Sequence, residues 1–109
     1  GFMIQGGGFT ADGQHKETDS IQGEFDGNGV TNPLKHTRGV LSMARTMFPN
    51  SASSQFFIMH EDAPHLDGQY AAFGKVTEGI EVVDEIAETP TNMQDKPIED
   101  QIIKTIRLV

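Results

Sequence analysis

Four apolar side chains lie close in sequence to hydrogen-bonding side chains, and this pairing is the strongest chemical feature of the chain. The apolar residues are Phe2, Met3, Phe57 and Leu66, and their polar neighbours are Gln5, Gln55 and His65. Taken singly, each apolar residue is best explained as part of an ordinary core. Taken together, they are typical of a shallow apolar pocket rimmed by amides, the usual composition of a site for a small ligand.

Two adjacent phenylalanines, Phe56 and Phe57, follow directly after the polar segment 49–54. Neighbouring side chains of a strand point to opposite faces of the sheet. If this segment is a strand, one ring belongs to a core and the other faces a second surface. The doublet therefore favours a phenylalanine that contributes to the pocket.

The serine and acidic residues form no recognisable catalytic or metal-binding motif. Serine hydrolases of the elbow type need G-x-S-x-G, which is absent around Ser51, Ser53 and Ser54. Segment 60–67 contains five potential metal ligands, which are His60, Glu61, Asp62, His65 and Asp67. It lacks the helical H-E-x-x-H spacing and contains the helix breaker Pro64. We therefore expect neither acyl transfer nor a metal site.

Two glycine-containing segments match binding loops only in part. Residues 26–31, DGNGVT, begin like a calcium loop, but Val30 and Thr31 occupy positions that require an oxygen ligand and a glycine. The three glycines at 6–8 could approach a phosphate, yet they form no G-x-G-x-x-G pattern and precede no predicted helix. A turn is the better interpretation of residues 6–8, and no cofactor is expected.

Composition restricts the possible partners. The 109 residues carry 16 acidic and 8 basic side chains, for a net charge of −8, and the basic residues are scattered along the chain. This distribution argues against nucleic-acid binding. The sequence has no apolar run of about 18 residues and no export signal, so we expect no membrane association and a cytoplasmic location. The absence of cysteine fits a reducing compartment.

Half of the acids lie between residues 78 and 100, where Lys96 is the only basic residue. They are Glu78, Glu81, Asp84, Glu85, Glu88, Asp95, Glu99 and Asp100. Such a concentration is typical of a solvated helix face and loop.

Apolar periodicity predicts more strand than helix. Strands are predicted within 1–5, 39–45, 54–60, 71–76 and 101–109, and a long polar loop over 9–32. Between 77 and 88, Ile80, Val83 and Ile86 recur at helical spacing with Pro90 just beyond, which predicts one short helix. The pattern indicates a single, mainly β domain over 1–109, an antiparallel barrel or sandwich with too few strands to close easily.

Five segments in order resemble the cyclophilin family of peptidyl-prolyl cis-trans isomerases. They are GFMIQGG, KHTRGVLSMART, SQFFI after PNSAS, LDGQYAAFGKV and GIEVVDEI, and the second is especially similar to bacterial cytosolic members. The resemblance covers essentially the whole chain. It implies an antiparallel eight-stranded barrel capped by two helices, with an outer groove that isomerises X-Pro bonds in peptides and unfolded proteins without a cofactor.

The resemblance also assigns the pocket. Phe2, Met3, Phe57 and Leu66 match the family's proline pocket, with Phe57 as its floor and Phe56 inside the barrel. Gln5 matches the glutamine that holds the substrate carbonyl. The resemblance implies that Gln5 and Phe57 are the catalytic residues. Gln55 matches a residue that lines the groove.

The remaining matched positions include departures from the family pattern. Ala44 and Arg45 match positions whose backbone pairs with the bound peptide, although the family often has asparagine in place of Arg45. His65 stands where many eukaryotic members have tryptophan, which predicts weak cyclosporin binding, and Tyr70 stands where they commonly have histidine. The loop ADGQHKETD, residues 11–19, replaces a glycine-rich loop beside the groove, so the preference for residues flanking proline is expected to differ.

One family element has no match in the printed sequence. The family's arginine belongs to an F-H-R motif just before GFMIQGG, whereas this sequence begins at Gly1. Arg38 and Arg45 map to other positions. We therefore expect a fragment that corresponds to the C-terminal two-thirds of the family domain, without its first two strands and first helix. Three functions stay open: an isomerase, a module that binds proline peptides without catalysis, and a purely structural fragment.

Overall fold

The computed structural model describes residues 1–16 and 18–109. Its strands are β1 Met3–Gly6, β2 Val40–Met43, β3 Phe56–Met59 and β4 Ala72–Lys75, and its α-helix is α1 Ile80–Ala87. Short 3₁₀ helices lie at Asp26–Asn28 and Pro64–Leu66. Four of the five predicted strands and the predicted helix are therefore confirmed.

The four strands form one antiparallel sheet in the order β1-β3-β2-β4. Gln5 of β1 lies opposite Phe57 of β3, and Phe57 in turn lies opposite Ser42 of β2. Because side chains alternate, directly opposed residues share a face. We call the face that carries Ser42 and Phe57 the front face.

The front face holds the core of the fold. Its buried apolar cluster consists of Val40, Phe57, Met59, Ala63 and Ala72. In β2 the buried residues are Val40 and Ser42, as the predicted alternation requires, while Leu41 and Met43 on the opposite face are only half-buried. Phe56 is also half-buried on that opposite face, so the doublet divides between two surfaces as predicted, but the ring that joins the buried cluster is Phe57 and not Phe56.

Helix α1 packs against β1 and buries Val83, the middle residue of its apolar stripe. It begins after Gly79, whose backbone has a positive φ of 92°. Asp84 attaches the helix to the sheet. Its two carboxylate oxygens accept hydrogen bonds of 2.6 and 2.7 Å from the Arg38 guanidinium, and one of them lies 2.8 Å from Nδ1 of His60. Asp84 therefore departs from the solvated helix face predicted for the acids.

The Arg38 contact perturbs the titration of Asp84. The hydrogen bond from Arg38 is the largest influence; that from His60 adds to it, and together they outweigh desolvation and lower the pKa of Asp84 to about 2.

Two parts of the predicted architecture differ from the structure. The sheet described for residues 1–16 and 18–109 has four strands and is not closed, so the eight-stranded barrel is not observed, whereas the single α-helix described there agrees with the one short helix predicted. The prediction of a strand over 101–109 is wrong, because this segment pairs with no other described segment. Ile102, Ile103 and Ile106 consequently stay more than half exposed. Within 1–16 and 18–109, no helix is long and apolar enough to cross a bilayer.

Candidate active site

Phe57 forms the floor of the predicted site. The ring is 3% exposed and meets Tyr70 edge to face, with 5.7 Å between the ring centroids. Met3, Ala44, Leu66 and Tyr70 are half-buried side chains that pack against the cluster containing Phe57. Segments far apart in sequence therefore meet around one ring. Since Phe57 is so well covered, a ligand would reach this floor mainly through the half-buried side chains around it.

The two predicted amides lie beside this floor. Gln5 Nε2 donates a 2.9 Å hydrogen bond to Gln55 Oε1. Alternation along β1 puts Met3 and Gln5 on the front face, and the register sets Gln5 opposite Phe57. Gly8 makes the approach of Gln55 possible, because a side-chain carbon at Gly8 would lie 2.8 Å from the Gln55 side chain. The glycines predicted to form a turn thus also position an amide.

Phe2 and His65 contact each other at one end of the site. Their rings are 5.8 Å apart at 61°, an edge-to-face arrangement. The carbonyl of Phe2 accepts hydrogen bonds from the N–H groups of His60 and Glu61, at 2.9 and 3.0 Å. These bonds attach the segment that leads to His65 to the start of β1.

Arg45 uses its side chain, a role that the sequence did not predict. Its guanidinium stacks over the rings of Phe25 at 4.7 Å and Tyr70 at 4.5 Å. It also donates to the carbonyl oxygens of Thr46 and Gln69. Its buried Nε has no hydrogen-bond partner among the described residues. Arg45 therefore holds Tyr70 through the face of its ring, in a geometry that a planar cation favours.

Ala44 is only partly available for its predicted role. Its backbone N–H donates a 3.0 Å hydrogen bond to the carbonyl of Gln55 and is therefore occupied within the chain. This bond closes the base of the loop between β2 and β3. The predicted pairing of a peptide with the Ala44 N–H would require this bond to break.

The loop above this base is fixed by internal hydrogen bonds. Ser51 Oγ accepts from the N–H of Thr46 at 3.0 Å and donates to the carbonyl of Phe48 at 2.7 Å. Met47 and Phe48 project from the loop and are 85% and 69% exposed. The chain thus presents two large apolar side chains on a well-defined turn next to Arg45.

Asn50 connects this loop to the segment before the first 3₁₀ helix. Its Oδ1 accepts from the N–H of Gly23 at 3.0 Å and from Nδ2 of Asn28 at 2.8 Å. Asn28 Nδ2 also donates to the carbonyl of Gly23 at 2.8 Å. Gly23 has no room for a side chain, because a carbon there would collide with the carbonyl of Pro49 and the ring of Phe25. Together these contacts form one rim beside the site.

A buried polar chain under Phe57 was missed by sequence reasoning. His36 Nδ1 lies 3.0 Å from Asp67 Oδ1, and His36 Nε2 lies 2.8 Å from Ser42 Oγ. The His36 ring also stacks on Phe57, with 5.9 Å between centroids and 20° between planes. The order Asp, His, Ser is that of a hydrolase triad. His36 and Ser42 are only 1% and 0% exposed, however, so no substrate can reach the hydroxyl.

Asp67 is perturbed by the same chain. Burial raises the pKa of its carboxyl, but hydrogen bonds from the backbone and ring of His36 outweigh burial and hold the pKa of Asp67 below its ordinary value. Asp67 and His60, two potential metal ligands of segment 60–67, thus bind different partners: His60 contacts Asp84 instead. Among the described residues, no three His, Asp or Glu side chains are arranged to hold a metal.

Two cavities lie outside the predicted site. One of about 430 Å³ has Leu34, Phe73 and Lys75 in its lining, and one of about 220 Å³ lies beside Ile21 and Phe73. Neither includes any predicted site residue. The candidate site is the surroundings of Phe57, where apolar side chains adjoin the paired amides of Gln5 and Gln55.

Comparison with known proteins places the chain in a family. The profile described as "Cyclophilin type peptidyl-prolyl cis-trans isomerase/CLD" matches residues 1–108. The peptidyl-prolyl cis-trans isomerase A of Dickeya dadantii is 44% identical, over 98% of this chain and 60% of its own length. Peptidyl-prolyl cis-trans isomerase B of Escherichia coli is 42% identical, over 97% of this chain and 70% of its own. The chain thus spans about 60% of the length of the Dickeya relative.

Solved structures agree with this assignment. The crystal structure of a Cryptosporidium parvum cyclophilin type peptidyl-prolyl cis-trans isomerase superposes with a TM-score of 0.74 at 35% identity, covering 95% of this chain and 65% of that one. A second crystal structure of that protein, obtained in the presence of the dipeptide Ala-Pro, superposes with a TM-score of 0.69 at 34% identity, covering 91% and 63%. The family profile, the relatives and the fold agree, and the chain belongs to the cyclophilin family.

Proposed function

We propose that the domain to which this chain belongs catalyses cis-trans isomerisation of X-Pro peptide bonds. The observation that carries the proposal is the convergence of Met3, Leu66 and Tyr70 around Phe57, with Gln5 hydrogen-bonded to Gln55 beside them. Apolar side chains next to amide groups suit a proline ring and the carbonyl that precedes it. The relatives named as peptidyl-prolyl cis-trans isomerases support the same reaction.

The reaction requires a site that favours a twisted amide. Resonance gives the peptide C–N bond partial double-bond character, and rotation has a barrier of about 18–20 kcal/mol. Only contacts that are stronger in the twisted state than in the planar states accelerate rotation. As the bond twists, the proline nitrogen becomes pyramidal and more basic, so a cation or N–H donor aimed at it binds the twisted state better. The reaction needs no covalent step.

Residues of this chain would hold the groups on both sides of the rotating bond. Half-buried apolar groups around Phe57 would hold the proline ring, which has no N–H to satisfy. Gln5 is exposed next to this surface, and its amide would bind the preceding carbonyl and guide its rotation. With the ring held, the carbonyl side turns against a fixed proline.

A second candidate function is peptide binding without catalysis, and the arginine contacts favour it for the residues described. Arg38 is engaged by both carboxylate oxygens of Asp84. Arg45 is stacked between Phe25 and Tyr70. Neither guanidinium is free to approach a proline nitrogen over Phe57. Binding and catalysis can therefore separate in this chain.

Exchange NMR of an X-Pro peptide tests both candidates. An isomerase raises the rate of exchange between the cis and trans signals, whereas a binding module shifts the signals without raising the rate. Phe57→Ala should abolish the contact with proline, worth on the order of 2 kcal/mol or about 30-fold in affinity. Unchanged affinity in a folded Phe57→Ala variant contradicts the pocket.

Two further variants make this test more specific. Phe73→Ala is the matched control, because Phe73 is exposed and lies outside the site. Gln5→Ala tests the amide without touching the core, since Gln5 is exposed. We expect it to slow exchange more than it weakens binding.

The partners follow from the same proposal, whereas the location is a separate prediction. Proline-containing peptides and unfolded chains are the proposed substrates, supported by the relative crystallised in the presence of Ala-Pro. Weak cyclosporin binding stays a prediction from His65, and the cytoplasmic location stays a prediction from composition.

A further inference from the structure

The backbone of His36 binds both ends of the turn that carries His65 and Leu66. Its carbonyl accepts a 2.8 Å hydrogen bond from the N–H of Ala63, just before the turn. Its N–H donates a 2.5 Å hydrogen bond to Asp67 Oδ1, just after the turn. One residue therefore fixes the start and the end of a segment that supplies two predicted site residues.

The ring of His36 extends this attachment to the sheet. Asp67 is ionised at neutral pH, because its pKa lies below the ordinary carboxyl value, and an ionised carboxylate can only accept. In the neutral imidazole, Nδ1 therefore donates to Asp67, and Nε2 accepts from the Ser42 hydroxyl. These bonds fix the plane of the ring between the turn and β2.

The fixed ring lies against the floor of the site. His36 stacks on Phe57 at 5.9 Å and 20°, and Ser42 is the strand partner of Phe57. Phe57 thus contacts a side chain whose orientation is set by hydrogen bonds at both nitrogens. Leu66 packs against the cluster that contains Phe57, and the same histidine is bonded to both ends of the Leu66 turn.

We propose that His36 and Asp67 are positioning residues that set the depth of the pocket over Phe57, by holding the 64–66 turn at a fixed distance from the sheet. This inference rests on the proposed function, since it assigns the pocket to proline. It predicts that peptide affinity depends on the length, or reach, of the residue 67 side chain and does not depend on its charge. Two substitutions separate reach from charge.

Asp67→Asn keeps the reach and the accepting oxygen but removes the charge, whereas Asp67→Glu keeps the charge and adds one methylene. We expect peptide affinity within about twofold of the parent for Asp67→Asn, and about tenfold weaker for Asp67→Glu, comparable to the loss of one good hydrogen bond. The matched control is Asp62→Glu, the same change in the same segment, because Asp62 accepts from the N–H of Arg38 and not from His36. We expect no change in affinity for the control.

NMR signals of the unsubstituted chain test the same point without a variant. A saturating proline peptide should shift the His36 ring N–H together with the Phe57 ring and Leu66 methyl signals. A peptide that shifts Phe57 and Leu66 but leaves His36 unmoved overturns the inference. This measurement also decides the matter if Asp67→Glu does not fold.

The remaining outcomes separate this inference from the proposed function. Equal affinities for Asp67→Glu and the parent overturn the positioning role, and so does a loss confined to Asp67→Asn. Loss of binding in Phe57→Ala with no effect of Asp67→Glu leaves the isomerase site intact and removes only the role of His36 and Asp67. Retained binding in Phe57→Ala removes the site itself.

Discussion

Replacement of Arg45 by lysine tests whether the guanidinium stacks as the structure describes. Lysine keeps the charge but loses the planar contact with two rings, at 4.7 Å from Phe25 and 4.5 Å from Tyr70. Each such contact is worth about 0.5–1 kcal/mol at a partly exposed site. Lysine can also satisfy one of the two carbonyls, of Thr46 and Gln69, more easily than both. We therefore expect Arg45→Lys to lower the free energy of unfolding by about 2 kcal/mol.

Tyrosine fluorescence provides a local assay for this change. The chain has 1 tyrosine and 0 tryptophans, so its intrinsic emission comes from Tyr70 alone. Urea unfolding followed by this emission gives the loss of stability, and acrylamide quenching in the native state gives the exposure of the ring. We expect Arg45→Lys to increase quenching, because one face of Tyr70 becomes accessible.

A control variant and a refuting result complete the test. Arg107→Lys makes the same exchange in the exposed segment 101–109 and should change neither quantity. If Arg45→Lys matches the parent in both stability and quenching, the stacked guanidinium contributes nothing and the reasoning is refuted.

Three further predictions follow from other contacts. The pKa of Asp84 is about 2 in the folded chain against an ordinary 3.8, so its contribution to stability is fully present above about pH 4 and is lost as the pH falls through 2. Urea unfolding should therefore separate Asp84→Asn from the parent at pH 6 but not near pH 2, and a constant difference would contradict the ion pair. Gly8→Ala should displace Gln55 and break its bond to Gln5, which is visible in the side-chain amide NMR signals, whereas Gly74→Ala should not, because its new carbon would lie at an ordinary contact distance of 4.0 Å from Leu41 Cβ. Phe48→Ser should change thermal stability by less than about 0.5 kcal/mol, because Phe48 is 69% exposed; a larger loss would show that the ring packs.

Apolar periodicity correctly predicted the strands and the helix that bury side chains on one face. Val40 and Ser42 are buried in β2 as their spacing requires, and Val83 is buried in α1. The prediction of a strand over 101–109 failed because alternation shows that a segment is able to pair in a sheet but does not identify a strand with which it would pair. Ile102 and Ile106 alternate well, yet they belong to no strand in the described part of the chain and stay more than half exposed.

The sequence allowed candidate site residues to be proposed from family motifs, but it did not reveal the polar residues packed beside them. Resemblance identified Phe57 and Gln5, whose neighbours were then found in the structure. Nothing in the sequence distinguishes His36 as buried, because its partners Ser42 and Asp67 lie 6 and 31 residues away. Asp84 was treated as one acid of a solvated run, since its partner Arg38 is separated by 46 residues. Long-range polar contacts of this kind leave no periodic signal.

The hydrogen bonds of Asn50 have a consequence for the motion of the two segments that they connect. Its single oxygen ties the turn bearing Phe48 to Gly23 and Asn28, so these two stretches cannot open independently without losing both bonds. We expect amide hydrogens of both stretches to exchange with solvent at a common rate, as one cooperative unit.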